Sequence, residues 1–92
     1  MKPERAEHIA VSALVWLAAN DDLLPVFLGS SGANAEDLRA QAENPAFLGS
    51  VLEFLTMDDA WVIAFCDEHT FKYEEPLMAR YALPGSQAVH WT

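Results

Sequence analysis

The apolar positions of this chain recur at helical rather than strand spacing. Between residues 9 and 19 only Ser12 is polar, and Ile9, Ala13, Trp16 and Leu17 fall on one face, flanked by Ala10 and Leu14. This predicts a first helix over residues 3–19. Pro3 suits its first turn, and Glu4 and Glu7 suit the early turns, where the helix dipole favours negative charge. A second, short helix follows over residues 23–28. Asp22 is its expected N-cap and Pro25 its third position, where a missing N–H breaks no intrahelical bond. Gly29-Ser30-Ser31-Gly32 is expected to stop it.

Asn34 should cap a third helix over residues 35–42, with Asp37 three residues on in a variant of the capping box. Leu38 is its one large apolar anchor. Asn44-Pro45 is an N-cap followed by proline at the first helical position, a clear helix start. In the fourth helix Phe47, Val51, Phe54 and Leu55 form a stripe, with Leu48 and Leu52 beside it. Gly49 inside it costs about 1 kcal/mol relative to alanine, so a closely packed neighbour is the expected reason for it. The hexapeptide Pro25-Val26-Phe27-Leu28-Gly29-Ser30 is echoed by Pro45-Ala46-Phe47-Leu48-Gly49-Ser50. The first copy should end a helix and the second continue one.

The stretch over residues 57–69 is apolar without interruption from Ala60 to Cys66. Asp58 is a good N-cap and Asp59 a good first-turn residue. A short helix apolar on every side needs neighbours all round, so it is read as the central helix of the fold, with Trp61, Phe65 and Cys66 buried. After a connection through Thr70-Phe71-Lys72-Tyr73, Glu74-Glu75-Pro76 opens a last helix through Leu77, Met78, Tyr81 and Ala82-Leu83. Pro84-Gly85 ends it. In the tail, Val89 and Trp91 alternate with His90, an extended pattern that lays two apolar side chains on one surface. The predicted class is all-α: a compact orthogonal bundle of five or six short helices with an extended C-terminal tail, one domain over residues 1–92.

Composition narrows the function. The 92 residues are 52% hydrophobic and carry a net charge of −9. Phosphate neutralisation needs Lys and Arg. Only Lys2, Arg5, Arg39, Lys72 and Arg80 are present, so nucleic acid is not an expected partner. The apolar part of the first helix is too short to span a bilayer, and Glu4 and Glu7 cancel the charge a signal peptide needs, so no membrane partner is expected either. Many acids sit in the pairs Asp21-Asp22, Glu36-Asp37, Asp58-Asp59 and Glu74-Glu75, at or near helix starts, where dipole chemistry accounts for them. Presentation of these acids to a basic protein is the functional alternative. The single cysteine excludes an internal disulfide and suits a reducing cytoplasm.

Cys66, Asp67 and His69 form the one cluster that resembles chemistry. Structural zinc takes four protein ligands, and no second Cys/His pair follows. A nucleophilic cysteine needs a depressed pKa and a base, whereas Cys66 ends an apolar run. No metal and no cofactor are therefore expected. A glycine-serine loop at residues 29–32 lacks the Lys-Ser/Thr dyad of a phosphate loop. The helix-turn-helix order around residues 28–55 lacks basic residues where a DNA reader needs them. Val89 and Trp91 are the candidate interaction residues, either strapped across the core or entering a partner's groove.

Phe27-Leu28-Gly29 with its Ser-Gly loop, Asp37-Leu38-Arg39, the run Met57-Asp58-Asp59-Ala60-Trp61-Val62-Ile63-Ala64-Phe65-Cys66 and the closing His90-Trp91-Thr92 resemble a family of small uncharacterised bacterial proteins. That resemblance spans nearly the whole chain. It implies bacterial origin and a single compact domain of unknown function, with no catalytic residue to carry over. The functional expectation is a non-enzymatic, cytoplasmic protein-interaction or regulatory module, with an unidentified protein or a second copy (a homodimer) as partner. The alternative is a small-molecule binder or enzyme with an interhelical pocket near Trp61, Cys66 and His69.

Overall fold

The structure is a computed structural model, and it describes residues 1–32 and 34–83. Val89 and Trp91 therefore lie outside the described residues. The described elements are all helical: α1 (Pro3–Ala18), α2 (Leu24–Ser31), α3 (Ala35–Gln41), α4 (Pro45–Leu55), α5 (Asp59–His69) and α6 (Glu75–Ala82). The fold class is all-α, as the periodicity predicts.

Helix starts follow local side-chain chemistry. Asn34 Oδ1 accepts from Asp37 N at 3.0 Å while Asp37 Oδ2 accepts from Asn34 N at 3.2 Å, a reciprocal capping box. Asn44 Oδ1 accepts from Ala46 N at 3.0 Å, with Pro45 in the first turn. Asp58 Oδ1 accepts from Ala60 N at 2.8 Å. The entry to α2 differs from expectation. Asp22 caps nothing there; Asn20 Oδ1 takes the N–H groups of both Asp22 and Leu23, each at 3.1 Å, and turns the chain before α2 begins. Helix α2 then runs through Gly29 to Ser31 and stops at Gly32, whose φ of +76° lies in the left-handed region that favours glycine. Both copies of the echoed hexapeptide thus continue as helix, and Phe27 meets Phe47 edge to face at 6.0 Å between ring centroids.

The helix that organises the packing is α1, not α5. Its most extensive contacts are with α6 and α4, and it also touches α2 and α5. Ala6, Ala10, Ala13 and Leu17 stack on one face at i, i+4, i+7 and i+11, each at 0% exposure, beside the equally buried Ile9. Small side chains on that face let neighbouring helices come close. Helix α5 contributes Phe65 and Cys66 to the core, while Ala60 and Ala64 are exposed and Ile63 is 44% exposed. Much of its unbroken apolar run is alanine, which tolerates water and does not demand a neighbour on every side. Trp61 is half-buried rather than buried and stacks on Phe54 at 5.0 Å. Trp16 of α1 is the better buried tryptophan, edge to face with Phe65 at 6.0 Å.

The α4 stripe is as expected: Leu48, Val51, Leu52, Phe54 and Leu55 are buried, with Phe47 partly so, and Gly49 is buried among them. Arg5 of α1 pairs with Glu75 of α6 at 2.8 Å and covers the Phe71 ring at 5.1 Å, tying the start of α1 to the connection before α6. Arg80 of α6 reaches Thr56 at the end of α4 at 3.4 Å. No helix among the described residues is long and apolar enough to cross a membrane.

Candidate functional site

The end of α5 was the sequence's best chemical cluster, and its geometry is that of packing. Thr70 closes α5 in the left-handed region (φ 64°), and the chain turns back so that Phe71 N donates to Cys66 O at 3.0 Å. The Cys66 side chain is buried and its Sγ donates to the Lys72 carbonyl at 3.4 Å. Burial above all, with help from Glu75, Asp67 and Glu74, pushes its thiol from the ordinary value of 9.0 up to about 11. His69 lies against Phe65 and Phe71, at 5.0 and 6.4 Å between centroids, and His8 meets Phe71 edge-on at 5.9 Å. Asp67 accepts from the Tyr73 hydroxyl at 2.7 Å, and this hydrogen bond holds the exposed phenol above its usual range.

Cys66, Asp67 and His69 thus each have a different neighbour, and Trp61 stacks on Phe54 two turns away. One open depression beside the end of α5 is lined by Asp67, Phe71, Lys72, Tyr73 and Glu74, without Trp61, Cys66 or His69. Among the described residues no group of three His, Cys, Asp or Glu could hold a metal ion. A raised thiol pKa makes a poor nucleophile. At pH 8 the folded chain should react with iodoacetamide about a hundredfold more slowly than the urea-unfolded chain, because its thiolate fraction falls by that factor. The same shift sets a sign for stability. Folding favours the protonated thiol, so its contribution is full below pH 9 and is lost as pH rises through about 11.

The acidic pairs divide. Glu36 and Asp37, Asp58 and Asp59, and Glu74 and Glu75 stand at or within the first turns of α3, α5 and α6, as dipole chemistry predicts. Asp21 and Asp22 instead join Asn20 and Glu68 around a polar depression beside Trp16.

The surface feature that the core does not use is an apolar groove. Its floor is Val11, Leu14, Val15 and Ala18 of α1. Leu24 of α2 and Ala35, Leu38, Arg39 and Ala42 along α3 form its walls, around a cavity volume of 390 Å³. Val15 is 57% and Val11 38% exposed, on the opposite side of α1 from the buried alanines. Arg39 is exposed at the rim and has no ion pair among the described residues. The outer side of α6 also exposes Leu77 and Met78, at 42% and 47%, while the Tyr81 ring one turn on carries the Arg80 guanidinium at 5.8 Å. The signal for the groove was present in the sequence. From residue 9 to residue 19 the first helix is apolar on nearly all sides, more than the face of Ile9, Ala13, Trp16 and Leu17 with Ala10 and Leu14 accounts for.

The groove can hold apolar side chains and pair one carboxylate at Arg39; among the described residues that line it there is no nucleophile, base or metal ligand set. No curated protein and no solved structure matches the chain significantly. One family model does match, over residues 3–86, a span that takes in all six helices described above. The chain therefore belongs to the DUF3572 family, proteins of unknown function.

Proposed function

We propose that this protein is a non-enzymatic protein-interaction module of the cytoplasm, binding its partner through the groove between α1, α2 and α3. The observation that carries this reading is the exposure of Val11 and Val15 on the floor of an apolar concavity, where water is held against aliphatic surface. A groove two helical turns long suits an amphipathic helix whose apolar side chains repeat at i, i+3 or i+4, and i+7. The partner is a protein rather than nucleic acid or a membrane. Among the described residues Arg39 is the one cation lining the groove, too few for phosphate chains. The buried, protonated Cys66 suits a reducing compartment.

The rival reading, a binder or enzyme with a pocket beside Trp61, Cys66 and His69, draws no support from the geometry there, since these side chains have separate neighbours. Affinity capture compares the immobilised chain with its Val15→Glu variant. A partner held by the first and released by the second supports the reading. Equal retention by both, or no partner for either, rejects it.

A further inference from the structure

We infer that the occupant of the groove is a basic amphipathic helix, one whose apolar stripe is bordered by Lys and Arg. The inference rests on the interaction reading above and adds the charge of the partner. The floor of the groove spans residues 11–18 of α1, about 10 Å, which matches the rise of an apolar stripe at i, i+4 and i+7 on a facing helix. An extended occupant has no strand to pair with, because the elements among the described residues are all helical.

The charge comes from the rim. Arg39 lines the groove, and Glu36 and Glu43 stand three residues before it and four after, the spacing that puts side chains on one side of a helix. Ala42, with φ of −60° and ψ of −19°, carries the helical path from the end of α3 to Glu43. On α1, Glu7 stands one turn before Val11. All three glutamates are exposed, and none pairs with a cation among the described residues. Three carboxylates against one guanidinium make the rim negative. The whole chain carries −9, so its long-range field has the same sign. A helix with acidic borders would bring like charges together there. Lysine and arginine borders meet the glutamates, and their aliphatic stems lie along the apolar walls. Along α3 the sign alternates from Glu36 through Arg39 to Glu43. The matching border of the occupant therefore carries one acid between two bases.

A synthetic helix of about 20 residues tests this against the full chain by calorimetry. It has leucine at i, i+4 and i+7, lysine along both borders, and one glutamate between two lysines on one of them. The expected Kd is about 1–50 µM at low salt. Changing the lysines to glutamine should weaken binding about five- to tenfold, and changing them to glutamate at least about thirtyfold. Salt at about 0.5 M should bring the lysine peptide close to the glutamine peptide, whose own affinity should barely move. On the chain, Glu36→Gln with Glu43→Gln should weaken the lysine peptide about three- to fivefold and leave the glutamine peptide unchanged. Asp59→Asn with Glu68→Gln removes the same charge from exposed positions of α5, none of whose residues lines the groove. That pair should leave both peptides within about 1.5-fold.

Four results overturn the inference. A glutamine peptide that binds as tightly as the lysine peptide, with Val15→Glu releasing both, keeps the groove and removes the basic character of its occupant. Equal weakening by the α3 pair and the α5 pair means a diffuse attraction to an acidic molecule rather than a matched rim. No binding of any peptide removes a basic helix as the occupant, and the capture experiment above then decides the interaction reading by itself. A chain that dimerises in sedimentation at about 100 µM, and that Val15→Glu returns to a single chain, makes a second copy the occupant.

Discussion

Phe65→Ala is expected to lower the stability of the folded chain by about 3–5 kcal/mol, read as a shift in the urea midpoint at unchanged slope. Phe65 is at 0% exposure and meets Trp16 at 6.0 Å and Phe71 at 5.5 Å, so its removal opens a cavity beside rings that cannot collapse into it. A domain of this size has little more than that to lose. The sequence reading placed Trp61 inside the core together with Phe65 and Cys66. Because Trp61 is only half-buried, Trp61→Ala should cost clearly less than Phe65→Ala in the same assay. Equal losses would mean that α5 is enclosed more fully than its exposed Ala60, Ile63 and Ala64 indicate.

Enlarging Ala13 should be the second severe change. Ala13→Leu is expected to cost about 1–3 kcal/mol, although leucine is nearly as good a helix former as alanine and is more hydrophobic. Ala13 is fully buried on the face of α1 that carries Ala6 and Ala10, where α6 and α4 pack most extensively. Extra methylenes there push helices apart or force poor rotamers. The same substitution at Ala18, exposed on the groove side, should leave the melting temperature near that of the parent. If both variants melt alike, close approach across the alanine face is not what holds α1 in place.

These two results also separate folding from function. The side chains expected to destabilise lie inside, on Phe65 and the alanine face of α1, whereas Val11 and Val15 on the floor of the groove are exposed. A charge at Val15 is therefore a clean probe of binding. At the end of α5, Cys66 belongs with the core: its thiol is buried, donates to a carbonyl and has its pKa raised.

Where helices begin was legible in the residues themselves. Asn34 with Asp37, Asn44 with Pro45, and Asp58 each satisfy backbone N–H groups two or three residues away, and interactions of that range depend on nothing distant. The buried face of α1 and the stripe of α4 were legible for a related reason, since large apolar residues at helical spacing must face inward somewhere. The start of α2 was not, because Asn20 and Asp22 are both competent caps and only the turn chosen by the chain decides between them. Alanine was the larger source of ambiguity. On α1 it is packed completely, and on α5 it is left in water, although the residue and the local pattern are alike. Which helix becomes the centre, and which apolar face is left over as a groove, follows from how many neighbours each helix acquires. That depends on how all six helices pack together, and tertiary structure alone decides it.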